Sequence, residues 1–437
     1  MRFCRQALRF LVLSLYFLSI PVSFAKEKSS QPKAQQSQVP PVDTITYEQI
    51  DKYVKYYAGL GHHRAGSKID KRAAIWIRNL LKQDKLDVSV ESYTFNRPVS
   101  RYAVVSMKID RINSVILPGM PLLNSKPTNQ AIKTNLGFVG QDNTVPVIHI
   151  YVTPASGDAK LRAKSIKEFK DAIESGRYRA VIGVTQGGYA GLLPLSIDLN
   201  KHYKTPAMLM SSEIGNFAEI YAEINNPVKF LTRINYKKAT VDNVVGVIKG
   251  TNPNLSPVVV IAPRSAWWYA AAGRGSGVAA FLSAAEALAK TSHLRTIYFV
   301  STSGQEYYSM GVKKFLEAHP NLEKQAYAWI YIGGNIGTKP VPHYIVQGSS
   351  RLMRRMVHRA FHENGVENLQ WLDSSPVILP VLTQVFNHSD HAVIIAATNN
   401  RCARMTCDKW PSNVNIEVTL NFSKAMTILI QTLAADN

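Results

Sequence analysis

The spacing of apolar positions divides the chain into a helical start, a strand-rich middle and a long stretch in which strands and helices alternate. Residues 46–60 carry Ile50, Tyr53, Val54 and Tyr57 at helical spacing, with Thr46 placed as an N-cap beside Glu48. A loop, Gly61-His62-His63-Arg64-Ala65-Gly66-Ser67, separates this helix from a second amphipathic one over 71–82, and 88–95 alternates like a strand. Between 98 and 235 the pattern changes to short strands at 145–152, 180–185 and 206–210 with a helix at 163–173. This predicts a small α/β insertion. From 241 the first theme resumes with an edge strand and turn ending at Gly250. Apolar runs at 257–262, 296–301 and 326–333 then alternate with helical stretches at 276–290 and 312–318. That order predicts a mostly parallel sheet covered by helices, an α/β fold. Residues 352–364 and 416–435 read as further helices, and Asn387-His388-Ser389-Asp390-His391 as a polar loop.

Composition fits this picture: with 437 residues, 46% hydrophobic and 19% charged, the chain can bury a substantial core. Its first 25 residues have Arg2, Arg5 and Arg9, then an apolar run from Leu11 to Phe24 and a small-residue end at Ala25. These features predict a cleaved signal peptide and an exported protein, periplasmic or secreted, without a transmembrane span in the mature chain. Residues 26–43, rich in Lys, Ser, Gln and Pro, read as a flexible linker. The formal charge of +21 suits an anionic envelope surface. No helix-turn-helix, zinc-finger or RNA-recognition signature accompanies it, so nucleic acid is not the expected partner. After export only Cys402 and Cys407 remain, either as a small disulfide-closed loop or as two free thiols.

The Arg64-x-Gly66-Ser67 loop, the inserted region, the Asn243-Val244-Val245-Gly246 strand and the order of later strands together resemble the zinc-dependent aminopeptidase family that includes glutamate carboxypeptidase and the transferrin receptor. The resemblance implies a zinc-exopeptidase-like domain over 44–97 and 236–437, with 98–235 as a protease-associated-like domain that includes Lys204-Thr205-Pro206-Ala207-Met208-Leu209-Met210. It also implies two zinc ions held by a His-x-Asp motif, an Asp-Asp-Asn motif, the second glutamate of Gly-Glu-Glu, a later strand-end aspartate and a Ser-Asp-His histidine. The first glutamate of the pair would be the general base.

This chain departs from that pattern at most of these places. Arg264 and Ala266 align with His-x-Asp, Ala272 with the bridging aspartate, Gln305 with the general base and Gly334 with the strand-end aspartate; Glu306 and His391 alone survive as ligand positions. An amide cannot shuttle a proton as a carboxylate does. At a separation of about 4 Å and an effective dielectric of about 20, a unit-charge pair is worth about 4 kcal/mol, so Arg264 and Arg274 would oppose a dication.

The leading expectation is therefore a peptidase-like pseudoenzyme that binds a partner or acts as an envelope scaffold, with no metal or other cofactor. Against it stands a hydrolase with a rebuilt single zinc site, formed by Glu306, His391 and either His388 or Asp390. A third reading is a cleft for a peptide or other carboxylate-bearing ligand, lined by Arg264, Arg274, Trp267, Trp268, Tyr307 and Tyr308, with Tyr269 beside them. The same aromatics could equally be filling a vacated metal cavity. The bland readings are that Glu306 pairs with an arginine, that His391 is a hydrogen-bonded loop residue, that His62 and His63 mark a loop, and that Glu286 lies on a solvated helix face. If Arg264 replaced a metal ligand, its guanidinium is expected near Glu306 or Asp390.

Overall fold

The computed structural model describes residues 41–436 apart from 197 and 199, and, at 100 and 101, the backbone alone. The predicted signal peptide and most of the linker lie outside the described residues. Pro41–Thr44 forms a single 3-10 turn with Pro41 buried, so the folded region begins slightly before the expected end of the linker.

Two helices open the fold. α1 (Tyr47–Gly59) is capped by the Thr46 side chain, which accepts from the Gln49 N–H, and it buries Ile50, Tyr53, Val54 and Tyr57. α2 (Lys68–Gln83) starts earlier than its apolar pattern suggested because the Ser67 side chain accepts from the Asp70 N–H. The strand predicted at 88–95 is the first part of a much longer one, β1 (Asp87–Lys108).

The strand-rich region then supplies β2 (Ser114–Pro121), β3 (Ile132–Gly137), β4 (Val145–Tyr151), α3 (Ala159–Glu174), β5 (Val181–Gln186), β6 (Ala207–Ser211) and α4 (Ser212–Glu223). β7 (Pro227–Ile248) runs back antiparallel to β1 along nearly its whole length. The pairings β1-β2-β6-β5-β4-β3-β7-β1 close a ring. The expected insertion boundaries meet across these two strands, where Pro98 faces Tyr236 and Arg97 faces Lys237. The stretch from 241 is not an edge strand: it is the end of β7, flanked by β1 and β9.

The remaining elements are β8 (Val258–Pro263), α5 (Ser276–Leu288), β9 (Ile297–Thr302), α6 (Met310–Ala318), α7 (Pro320–Gln325), β10 (Ala328–Ile332), β11 (His343–Gly348), α8 (Arg351–His362), β12 (Leu369–Leu372), α9 (Thr383–His388), β13 (His391–Thr398) and α10 (Ile416–Ala435). Four of them, β9-β8-β10-β13, are parallel neighbours at the centre of the sheet. All six residues of β8 are buried, as expected of a strand covered on both faces. On one face α5, buried on nearly every side, packs between the sheet and α1, α2 and α10. The other face is covered by apolar residues of α6, α7 and α9. The expectation of a mostly parallel central sheet flanked by helices is met.

Two sequence readings need correction here. The polar loop expected at 387–391 is the end of α9, two linking residues and the start of β13, so its last residue, His391, already belongs to a strand. Glu286 is not a merely solvated residue: its carboxylate accepts from the Gln49 amide, the Tyr53 hydroxyl (3.0 Å) and Lys290 (3.0 Å), tying α5 to α1.

Asn243 explains part of the strand motif that carries it. Its amide donates to the Gly311 carbonyl (2.9 Å) and its carbonyl accepts from the Ser303 N–H (3.4 Å), clamping β7 to the start of α6. A Cβ at Gly311 would lie 2.1 Å from the Ser303 carbonyl oxygen and 2.8 Å from the Asn243 side chain. Because the nearest obstacle is backbone, Gly311→Ala should lower stability by about 1–3 kcal/mol, measurable as a drop in the urea midpoint. A wild-type midpoint would show that this junction is loose.

Candidate functional site

The parallel strands deliver their C-terminal ends to one edge of the sheet, where α/β folds open their crevices. The segments that follow β8, β9, β10 and β13 surround a cavity of about 250 Å³, whose walls include Ser265, Trp267, Arg274, Glu306, Asn335 and Arg404.

Arg264 is placed on the other side of this wall. Its side chain is fully buried, with Nε 3.2 Å from the Asp70 Oδ1 in an ion pair whose angle misses hydrogen-bond geometry. Its two terminal nitrogens donate to the main-chain carbonyls of Ser301 (3.0 Å) and Asp242. Arg264 therefore meets neither Glu306 nor Asp390, contrary to expectation, and does not line the cavity. Asp70 is the missed partner. Its Oδ2 also accepts from the Gly66 N–H (3.0 Å) and the Ser303 hydroxyl (2.9 Å), which explains why Ser67-x-x-Asp70 follows a glycine at φ +71°. Burial raises the Asp70 carboxyl above its usual range, opposed by Arg264 and by these donors.

Glu306 is 3% exposed and has no arginine within ion-pair distance among the described residues. Its Oε1 accepts from the Ala65 N–H (2.7 Å) and its Oε2 from the Ser265 hydroxyl (2.7 Å). The Ser265 oxygen in turn accepts from the N–H groups of Gly304 (2.7 Å) and Gln305 (3.0 Å). Burial pushes the Glu306 carboxyl up, while the two donors pull it down. Beside it, the Gln305 side-chain carbonyl accepts hydroxyls from Tyr331 (2.9 Å) and Ser309 (3.1 Å), so its oxygen is already committed.

His391 does not join this group. It faces Ala328 at the start of β10, five strand positions before the level of Pro263, which is roughly 16 Å at about 3.3 Å per residue. There it stacks on Tyr327 with ring centroids 4.4 Å apart. The single-metal arrangement of Glu306, His391 and His388 or Asp390 is thus split between opposite ends of the sheet. Nor do the paired histidines supply a replacement. His63 is buried and stacks on Tyr57 at 3.7 Å, its pKa lowered to about 3 by burial, and His62 meets the edges of Trp268 and Tyr269.

The aromatics divide. Trp267 and Tyr307 are buried against each other and Phe95, but only Trp267 reaches the cavity. Trp268 lines it and donates from Nε1 to the Arg404 carbonyl (2.9 Å), while Arg64 sits over both tryptophan rings. Tyr308 is half exposed and stands outside the lining.

Opposite Glu306, the loop after β13 is closed by a Cys402–Cys407 disulfide and carries two residues the sequence reading missed. Asp408 is buried and accepts from the N–H groups of Ala272 and Gly273 (both 2.8 Å) and from the Asn413 amide (2.8 Å), anchoring the turn Ala271–Gly275 that leads into α5. Arg404 lines the cavity and stays exposed to solvent; crowding by the surrounding protein and the nearby Arg274 charge lower its pKa. The cysteine spacing was the available signal for this loop. Arg274 itself donates to the carbonyls of Ser265 (3.2 Å) and Gly273 (2.7 Å). A Cβ at Gly334 would lie 2.3 Å from the Arg274 guanidinium.

No family model matches the chain, and no curated protein does. Solved structures share its fold. A zinc aminopeptidase from Bacillus subtilis superposes with a TM-score of 0.68 at 15% identity, over 90% of this chain and 96% of that one. A peptidase precursor from Shewanella amazonensis gives 0.68 at 17% identity, over 92% and 94%. An aminopeptidase from Aneurinibacillus gives 0.66 at 14%, over 91% and 96%. The chain has a zinc-exopeptidase-like fold.

Two outcomes follow from the buried acids. Asp70→Asn leaves the Arg264 charge uncompensated and should cost about 3–5 kcal/mol, seen in chemical denaturation; a loss within experimental error would mean the pair contributes nothing. For Glu306, a carboxyl whose folded pKa is raised favours the folded state below its unfolded value of about 4.3 and loses that contribution as pH climbs through the folded value. Glu306→Gln should remove this part of the decline in melting temperature between acid and neutral pH. Parallel wild-type and variant profiles would contradict the assignment.

Proposed function

We propose that this chain is an exported, aminopeptidase-fold protein that has lost zinc-dependent hydrolysis and serves as a binding or scaffold protein of the envelope. The observation that carries the reading is the composition of the cleft. Among the described residues no three His, Cys, Asp or Glu side chains come together. The acids that do reach the strand ends, Glu306 and Asp408, have their oxygens engaged by N–H, hydroxyl and amide donors. Catalytic zinc takes three protein ligands and an open position, and this donor set does not fit it. Two arginines stand in the same cavity.

The same geometry weighs against a proton-transfer role at residue 305, because the amide oxygen there accepts two hydroxyl hydrogens and has no acidity to exchange near neutral pH. Export is supported by the charge and apolar pattern of the first 25 residues and by the paired cysteines of the mature chain. The basic charge suits contact with an anionic envelope surface. No described helix is long and apolar enough to cross a membrane.

The full chain, purified from zinc-supplemented culture, should carry zinc far below one ion per chain by elemental analysis and should leave aminoacyl-nitroanilides intact. One zinc per chain, together with hydrolysis that disappears in Glu306→Ala, would sink the proposal.

A further inference from the structure

We propose that the cavity at the strand ends binds a carboxylate on a small, partly apolar carrier, held between the guanidinium groups of Arg274 and Arg404. This rests on the reading of the cleft as a binding site rather than a hydrolytic one.

Two cationic side chains line this cavity, and the acids beside them are already engaged. The Arg404 guanidinium makes no hydrogen bond or ion pair among the described residues, although it lies in the cavity wall close enough to Arg274 for the two charges to repel. Arg274 spends its bonds on two neutral carbonyls. Arg404 is exposed to solvent, so in the empty cavity water meets its donors and a bound anion would take the place of that water. The nearby acids do not balance the two arginines, since Glu306 and Asp408 are held by other donors. What the cavity lacks is an acceptor carrying negative charge.

Shape narrows the class. A guanidinium presents a planar fork that matches the two oxygens of a carboxylate. At about 250 Å³ the cavity is smaller than a typical ligand site. Ala266, Ala270, Ala396 and Met405 bring apolar surface to its walls, which suits a carboxylate with a short aliphatic group more than a fully hydrated phosphate. A peptide C-terminus and a free short-chain acid share this chemistry.

Calorimetry on the chelator-treated full chain with acetyl-alanyl-alanine, its C-terminal amide, propionate and inorganic phosphate tests the proposal. The free acid is expected to bind, with the amide weaker by about ten- to a hundredfold, the loss of one charge-assisted contact. Propionate matching the dipeptide would assign the site to free acids; a clear preference for the dipeptide would assign it to peptide ends. Arg404→Gln, which removes no internal bond, should weaken binding by a similar factor at an unchanged melting temperature, and Arg401→Gln, on the outer face of the same loop over Tyr189, should not. Absence of binding, tighter binding of phosphate, or a folded Arg404→Gln that binds like wild type would overturn it. Because the dipeptide lacks a free amine and chelator is present, these results decide the anion site independently of the zinc and hydrolysis measurements.

Discussion

A guanidinium fully enclosed by protein must find acceptors for its donors and a counter-charge, and Arg264 finds them on three separate elements. The carboxylate comes from α2, and one carbonyl each comes from β7 and β9, while its own main chain extends β8. Removing water from such a group is costly unless it is paired with a counter-charge and hydrogen-bonded, so these four elements are constrained to one mutual arrangement. The Tyr57 hydroxyl adds α1 by donating to the Arg264 carbonyl. The loop between α1 and α2 is then held from both ends, which brings the Ala65 N–H to Glu306. The wall of the cavity is in this sense a consequence of the buried pair behind it.

Local signals in the chain made most of the scaffold legible. Fully apolar runs bounded by turn residues marked β8, β9 and β10, and helical spacing with a capping residue marked α1. The closing helix was read to its observed limits. Edge and length were harder: β1 and β7 continue far beyond their apolar segments because each finds a backbone partner in the other, and tertiary pairing of that kind leaves little periodicity behind. β13 was lost because its apolar run closely follows a short polar helix.

The candidate site was less legible, for a reason of register. Ser389-Asp390-His391 matched a motif as a string, but a string carries no information on which end of a strand it occupies. Pairing with Ala328 puts it at the far end. Arg264 was identified as a cation in the core of the site, yet its partner lay almost two hundred residues away on a helix whose acid reads equally well as part of a cap. Arg404 and Asp408 had no motif of their own, and only the cysteines at 402 and 407, around Arg404 and next to Asp408, hinted that the loop was fixed. Gln305, Ala272 and Gly334 were singled out through the family resemblance; Gln305 and Gly334 line the cavity, whereas Ala272 is buried behind it.

Those positions are also coupled sterically. The space that a side chain at 334 would fill is taken by the Arg274 guanidinium, and Gly273, whose Cβ would lie 2.8 Å from the Asp408 carboxylate, brings that acid onto the turn preceding α5. An aspartate at 334 therefore requires Arg274 to leave, and moving Arg274 would break its bonds to the Ser265 and Gly273 carbonyls. Ser265 is the residue whose hydroxyl holds Glu306 and the turn at Gly304 and Gln305. A chain of contacts thus links the small residue at 334 to the buried acid at 306 through one arginine. The cleft is a connected set of contacts, so a change at 334 would be felt at 306 through Arg274 and Ser265.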